Sequence, residues 1–183
     1  FHNLEQVFII GHSMGGKVAM ELAFSHSNLI KALVIADISP RKYKPKHQYI
    51  LNGLSSLDFD KINSRAAADE KMSSMISEYG LRQFLLKNLH WVEKGKLGLR
   101  VNIEVLKKAN HTIGEELNYD FHSELPCLFL KGENSDYILD IDEKLIRDYF
   151  PKSRIATISG AGHWLHAENP KEFIEVTSKW LNE

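Results

Sequence analysis

The segment Gly11-His12-Ser13-Met14-Gly15 is the feature that most constrains what this chain can fold into. It has the form G-x-S-x-G, in which a serine lies on a sharp turn between a strand and a helix. The apolar run Val7–Ile10 precedes it, and apolar residues at helical spacing follow it. Glycine two residues to either side of Ser13 would let neighbouring backbone pass without a Cβ collision. The pattern therefore predicts a strand, a tight turn that exposes the serine hydroxyl, and a helix.

Strand and helix signals alternate on both sides of a long middle segment. Further strands are predicted at Ala32–Ala36, Pro126–Leu130 and Arg154–Ile158, and further helices at Glu143–Tyr149 and Pro170–Leu181. Asn169 would cap the last helix with its side chain, and Pro170 suits the first turn. Short apolar strands alternating with helices predict an α/β fold with a mostly parallel sheet.

The middle of the chain has a different pattern of apolar residues. Strand-like runs disappear between about Arg41 and about Asn118, and the stretches Ala66–Ser77 and Leu81–Leu89 carry apolar residues at helical spacing. We predict a core formed by residues 1–40 and 119–183, with residues 41–118 inserted as a helical cap. Some apolar residues of the insertion could line a substrate pocket, although packing between helices is the usual role: Met72, Met75, Ile76, Phe84, Leu85 and Trp91.

Composition excludes several classes of partner. The chain has 23 Lys and Arg against 24 Asp and Glu, so no overall field attracts nucleic acid or an anionic membrane. No apolar run is long enough to span a bilayer, and the first residues lack the pattern of a signal peptide. The single cysteine, Cys127, lies in an apolar run and favours a reducing compartment, for which we expect the cytoplasm. The chain opens almost directly on a strand without an initiating Met, so we expect an N-terminal portion to precede Phe1.

A serine hydroxyl is a weak nucleophile until a base accepts its proton, and the chain has nine histidines. His163 stands in a loop of small residues, Ser159–His163, directly after a predicted strand and before the last helix. That position is the carboxyl edge of the sheet, where Ser13 is also expected. We therefore predict His163 as the base and His166 as a rim or structural residue. His12 should point away from the nucleophile, and the remaining six lie on polar, helix-end or insertion segments: His2, His26, His47, His90, His111 and His122.

Two aspartates compete for the carboxylate that would orient the imidazole. Asp37 ends the strand Ala32–Ala36, and Asp136 lies in the loop after the strand Pro126–Leu130. Both positions fall on the same sheet edge, and both satisfy the chain order serine, acid, histidine. Spacing alone leaves the two open.

These residues together predict acyl transfer. Ser13 would attack a carbonyl carbon while His163 accepts its proton. The N–H of Met14, at the start of the helix, would form half of an oxyanion hole, and one such donor is worth about 3–4 kcal/mol of transition-state stabilisation. No metal and no organic cofactor is implied by this chemistry.

From Val7 to its end the sequence resembles the α/β-hydrolase superfamily, specifically its small esterase and thioesterase branch. That branch includes bacterial acyl esterases and mitochondrial abhydrolase-domain relatives. The resemblance rests on Gly11–Gly16, Asp37–Pro40, Leu81–Leu89 followed by Leu99–Asn102, Gly132–Ser135 and Gly160–His163. It implies an α/β-hydrolase fold and hydrolysis of a carboxylic ester or thioester through an acyl-enzyme, without a cofactor.

The resemblance also bears on the acid and on the anion site. Most superfamily members carry the acid at the third residue after the glycine of the later loop, which is Ser135 here, so Asp136 stands one step late. The esterase branch carries it after the earlier strand, which favours Asp37. A second oxyanion donor is implied in a loop that would precede Phe1. Carbon–carbon bond hydrolysis or perhydrolysis with the same triad, and ligand binding without turnover, remain alternatives.

Overall fold

The computed structural model describes residues 4–44, 48–117 and 120–183, without the side chains of residues 110, 111 and 113. The described chain divides into two compact units, with boundaries at residues 42/43 and 114/115. We call residues 43–114 the insertion unit and the remainder the core unit. The second boundary predicted from the sequence, at 118/119, lies outside the described residues, as do His2, His47 and the side chain of His111. The role of residues 41–118 as a cap stays a prediction.

The core unit is built on a parallel sheet. In chain order the helices and strands of the described residues are β1 (Val7–His12), α1 (Met14–Ser25), β2 (Ile30–Ala36), α2 (Gln48–Ser55), α3 (Arg65–Ser73), α4 (Tyr79–Leu85), β3 (Leu89–Glu93), β4 (Lys96–Leu99), α5 (Ile103–Ile113), β5 (Cys127–Gly132), α6 (Asp142–Tyr149), β6 (Ser153–Ile158), α7 (Leu165–Glu168) and α8 (Pro170–Leu181). The sheet has the strand order β1-β2-β5-β6, and all three pairings are parallel. The predicted α/β fold with a mostly parallel sheet is confirmed.

Strand β2 lies in the interior of this sheet, between β1 and β5. The side chains of Leu33, Val34 and Ile35 are fully buried, which explains why the strand reads as a continuous apolar run. Burying each of them contributes about 1.5–3 kcal/mol relative to leaving it exposed. This burial fixes the register of β2, and with it the position of the residue that follows the strand, Asp37.

The last helix begins where the sequence predicts. Asn169 caps α8, because its side chain accepts a hydrogen bond from the N–H of Glu172 at 3.3 Å, and Pro170 occupies the first turn. A short helix that the sequence reasoning missed, α7, fills the space between the loop of His163 and Asn169. Its first residue, Leu165, is fully buried in the cluster beneath the sheet.

The insertion unit departs from the prediction of helices alone. Its strands β3 and β4 form an antiparallel hairpin, so the expectation that strands are absent from this segment is wrong. The predicted helix Leu81–Leu89 ends at Leu85, a 3₁₀ turn follows, and Leu89 opens β3. The hairpin turns at Gly95, whose φ of +86° is left-handed backbone that glycine adopts without steric cost.

Burial divides the apolar residues that the sequence offered as pocket candidates. Three of them lie in the core of the insertion unit, namely Met72, Ile76 and Leu85. The other three are exposed at the surface of that unit: Met75, Phe84 and Trp91. Packing between helices therefore accounts for the first group.

Gly11, at the end of β1, allows the tight turn that follows it. A Cβ on Gly11 would collide with the carbonyl oxygen of Gly15 and lie 2.8 Å from Cα of Gly16, whereas a Cβ on Gly15 would meet nothing within 4 Å. We expect Gly11→Ala to lower the free energy of unfolding by about 1–3 kcal/mol, because the clash is with backbone that cannot rotate away. Gly15→Ala is the matched control, and urea denaturation measures both. Equal midpoints for the two variants would contradict this account of the turn.

Candidate active site

Ser13 stands on the turn between β1 and α1 in a strained conformation. Its φ of 54° and ψ of −122° lie outside the regions that most residues occupy, so the surrounding structure must hold it there. The N–H of Ser13 donates to the carbonyl of Ala36 at 2.9 Å, and its own carbonyl accepts from Gly16 N–H at 2.8 Å. Met14 is the first residue of α1, where an amide has no acceptor within the helix and can face an anion.

The glycines of the motif differ in what they do. Gly11 makes the close backbone approach that the sequence reasoning expected, but Gly15 has open space around its Cβ position. The second close approach belongs to Gly16, where a Cβ would collide with the side chain of Ile38 and lie 3.1 Å from Ile35. The expectation for Gly15 is therefore wrong. The close packing of α1 against β2 depends instead on Gly16.

His163 reaches Ser13 across the end of the sheet. Its Nε2 lies 3.0 Å from Oγ of Ser13, and its Nδ1 lies 2.8 Å from Oδ2 of Asp37. Because a carboxylate only accepts, Nδ1–H donates to Asp37, and Nε2 is left free to accept the proton of the serine hydroxyl. The ring of Tyr137 stacks on the imidazole with centroids 3.8 Å apart and planes at 17°, which restrains its orientation.

Asp37 is fully buried at the end of β2, and a buried carboxylate requires several donors. Its Oδ2 accepts from His163 and from the hydroxyl of Ser135, and its Oδ1 accepts from the N–H of Gly132 at 3.1 Å. Asp37 also has a positive φ, 52°, the second such non-glycine residue among the described residues after Ser13. The loops after β5 and β6 therefore both converge on this side chain.

Asp136, the other candidate acid, has a different environment. Its backbone carbonyl accepts from Nη2 of Arg41 at 2.9 Å, while Nδ1 of His163 is paired with Asp37. The hydroxyl of Ser135, one residue earlier, donates to Oδ2 of Asp37. The sequence shows that Ser135 stands where the resemblance implies an acid, but it does not predict that this hydroxyl donates to Asp37.

A buried lysine fixes the loop that follows Asp37. The ammonium group of Lys17, on α1, donates to the carbonyls of Pro40 and Arg41, both at 2.7 Å, and of Glu115 at 3.0 Å. Burial lowers the pKa of Lys17 from its ordinary 10.5 to about 8. Lys17 thereby connects the helix that follows Ser13 to the loop that follows Asp37, and no short sequence motif predicts this role.

His12 does not point away from the site, as the sequence suggested. Its Nε2 lies 2.7 Å from the backbone carbonyl of His163, and the two rings are 4.8 Å apart. Since a carbonyl only accepts, Nε2 of His12 carries a proton and donates it. The ring of His166 lies 4.7 Å from His12, so three imidazoles cluster at this end of the sheet. The prediction that His12 points away is therefore wrong, because its ring lies beside that of His163.

This arrangement supplies the parts of a nucleophilic acyl transfer: a hydroxyl, a base whose free nitrogen faces it, and a buried carboxylate on the other nitrogen. In the described part of the chain, no three His, Cys, Asp or Glu side chains are grouped to hold a metal ion. No described helix has the length and apolar character needed to cross a membrane. That the chemistry needs no metal or cofactor stays a prediction.

Comparison with known proteins agrees with the fold and the motif. The profile of the Alpha/beta hydrolase family matches residues 2–176. A solved structure described as a marine microorganism esterase superposes with a TM-score of 0.92, at 42% identity over 97% of this chain and 71% of that one. The chain belongs to the α/β-hydrolase family.

Curated relatives carry similar names. The chain is 35% identical to the sn-1-specific diacylglycerol lipase ABHD11 of Mus musculus over 94% of its own length and 58% of the relative. It is 33% identical to esterase YbfF of Escherichia coli strain K12, over 98% of this chain and 69% of that protein. Against the mouse, Danio rerio and Xenopus laevis relatives it spans 58%, 56% and 57% of their lengths.

The environment of His12 predicts a pH dependence of stability. Burial is the main cause that lowers the pKa of His12 below its ordinary 6.5, and the neighbouring His163 and His166 lower it further. The unfolded chain therefore binds more protons in the window just below pH 6.5, so the unfolding free energy should fall as the pH falls through it. We expect His12→Gln, which keeps a donor for the His163 carbonyl, to flatten this fall in urea titrations. An unchanged slope would contradict the lowered pKa of His12.

Proposed function

We propose that this protein is a serine hydrolase that cleaves carboxylic esters or thioesters through an acyl-enzyme. The observation that carries the proposal is the continuous chain Ser13 Oγ, His163 Nε2, His163 Nδ1 and Asp37 Oδ2, with separations of 3.0 and 2.8 Å. Both distances lie in the range of direct proton transfer and orientation. Ser13 is proposed as nucleophile, His163 as general base and acid, and Asp37 as the residue that fixes the imidazole.

In the first half of the reaction, the hydroxyl proton of Ser13 passes to Nε2 of His163 while Oγ forms a bond to the substrate carbonyl carbon. The carbonyl oxygen becomes an oxyanion, which the N–H of Met14 and the positive end of α1 would stabilise. Asp37 stabilises the imidazolium through Nδ1–H. The carbonyl then re-forms, the bond to the leaving oxygen or sulfur breaks, and that atom takes the proton from Nε2.

The second half releases the acyl group. Water donates a proton to Nε2 of His163, and its oxygen bonds to the acyl carbon of the Ser13 ester. A second oxyanion forms at the same place, the bond to Ser13 Oγ breaks, and the proton returns from His163 to Oγ. The products are a carboxylic acid and the free enzyme.

The relatives support an ester as the substrate class. The names of the marine structure and of the bacterial relative both contain the word esterase, and the vertebrate relatives are named sn-1-specific diacylglycerol lipases. A small neutral acyl substrate also fits the near-zero net charge of the chain. We propose small acyl esters or thioesters as substrates and no nucleic acid partner.

We also propose the cytoplasm as the location. Cys127, the single cysteine of the chain, is a buried free thiol, and burial raises its pKa well above the ordinary value of 9.0. Such a thiol stays protonated and inert, and the chain can form no disulfide within itself. This composition is typical of a reducing compartment.

Covalent labelling tests the nucleophile. The full-length protein should react with a fluorophosphonate probe, and Ser13→Ala should abolish both the labelling and the hydrolysis of p-nitrophenyl acetate, because it removes the hydroxyl that lies 3.0 Å from Nε2 of His163. Mass spectrometry locates the adduct. A folded wild-type protein that binds esters but takes up no probe would contradict the proposal in favour of ligand binding without turnover. Turnover of carbon–carbon substrates but not esters would favour the carbon–carbon hydrolase alternative.

The choice of acid is tested by Asp37→Asn and Asp136→Asn. Loss of the carboxylate at Asp37 inverts or misplaces the imidazole tautomer, and the equivalent change elsewhere lowers kcat by about 10⁴-fold. We expect a loss of that order for Asp37→Asn and near wild-type kcat for Asp136→Asn, because Nδ1 of His163 is paired with Asp37. If only Asp136→Asn abolishes ester hydrolysis, Asp136 is the acid.

A further inference from the structure

The carboxylate of Glu168, which lies outside the proposed triad, accepts hydrogen bonds from the backbone on both sides of His163. Oε2 of Glu168 accepts from the N–H of Gly162 at 2.7 Å, and Oε1 accepts from the N–H of Trp164 at 3.1 Å. The two donors are the residues immediately before and after His163. The side chain of Glu168 therefore bridges the backbone N–H groups of the residues before and after His163.

Glu168 is itself held by the segment that it grips. It ends the short helix α7, and its own N–H donates to the carbonyl of Trp164 at 2.9 Å. Leu165, the first residue of α7, is fully buried, so this helix is anchored to the core of the unit. The carboxylate of Glu168 thus connects the loop that carries His163 to α7, a helix anchored in the core of the unit.

The loop needs such support because it contains glycines at 160 and 162, and Gly160 has a φ of +66°. Two other carboxylates hold its beginning. Glu172 accepts from the N–H of Ser159 at 2.9 Å, and Glu133 accepts from the N–H of Gly160 at 2.6 Å. These contacts lie three and four residues before His163, whereas those of Glu168 are adjacent to it.

We propose that Glu168 is a positioning residue for the base, and that its bridging carboxylate sets the distance from His163 Nε2 to Ser13 Oγ. This inference rests on the proposed function. Proton transfer requires near-ideal geometry, and a displacement of about 1 Å can cost on the order of a hundredfold in rate. A carboxylate is suited to the task because both of its oxygens accept.

The variant Glu168→Gln removes the bridge with almost no change in size. An amide offers one accepting oxygen and one donating NH₂ group, so one of the two backbone N–H groups would face another donor. Glu168→Asp keeps the charge but shortens the side chain by one methylene, so it should reach fewer of the donors. The two variants separate the loss of the bridge from the loss of the charge.

The experiment measures kcat and KM for p-nitrophenyl acetate, with the rate of fluorophosphonate labelling. We expect Glu168→Gln to lower kcat and the labelling rate by about tenfold to a hundredfold with little change in KM, and Glu168→Asp to fall between it and the wild type. Glu175→Gln, on the exposed face of α8, is the control for a lost surface charge and should retain wild-type kinetics. Glu172→Gln, which removes a carboxylate from the start of the same loop, is the control for stability, and thermal unfolding is recorded for each.

A double-mutant cycle distinguishes positioning from a general structural role. In a His163→Ala background, Glu168→Gln should have no further effect on the residual hydrolysis, because there is no base left to position. An equal loss in both backgrounds, or kinetics within twofold of wild type in a folded Glu168→Gln variant, would overturn the inference. If Glu168→Gln does not fold, Glu168→Asp with wild-type kcat overturns it. Failure of the wild type to react with the probe would instead refute the proposed function.

Discussion

The buried carboxylate of Asp37 is the interaction on which the geometry of the site depends. A charge in a dry interior costs several kcal/mol unless donors surround it. Here the three donors come from two places distant along the chain: the backbone of Gly132 and the hydroxyl of Ser135 at the end of β5, and the imidazole of His163 after β6. Hydrogen bonds to the carboxylate of Asp37 therefore join the end of β2 to the loop after β5 and to the loop after β6. Loss of any of these elements would leave the carboxylate under-satisfied.

The sheet supplies the framework for this convergence. Ser13 follows β1 and Asp37 follows β2, and each donates its N–H to a carbonyl of the neighbouring strand in the sheet, Ala36 of β2 and Leu130 of β5 respectively. These contacts continue the parallel ladder by one residue and stabilise two backbone conformations with positive φ. The backbone strain at Ser13 and Asp37 is thus offset by hydrogen bonds to the buried strands of the sheet. The loops after β5 and β6 are joined in the same way, since Asn134 N–H donates to the carbonyl of Ala161 at 2.8 Å.

Side chains that take no part in the proposed chemistry define the remaining geometry. Lys17 ties α1 to the loop after Asp37, Tyr137 stacks on His163, and Glu168 spans the residues beside it. Each acts through backbone carbonyls, backbone N–H groups or a ring face. Such contacts leave no short sequence motif, because any residue offers the same backbone groups. The sequence therefore predicts the proposed reacting groups but not the residues that hold them.

The sequence by itself determined the parallel sheet of the core, the turn at Ser13 and the helix cap at Asn169, because apolar periodicity, glycine spacing and capping residues act over a few neighbours. It also limited the acid to Asp37 or Asp136 and named His163 on its position after a strand. Only the tertiary structure decided that His163 pairs with Asp37, that Ser135 donates to that carboxylate, that His12 lies against His163, and that the insertion unit contains a hairpin. Those outcomes depend on which strand lies beside which and on contacts across as many as 151 positions, as between His12 and His163. No local sequence pattern predicts contacts between residues so far apart in the chain, because these contacts form only when the strands pair and their end loops meet at the carboxylate of Asp37.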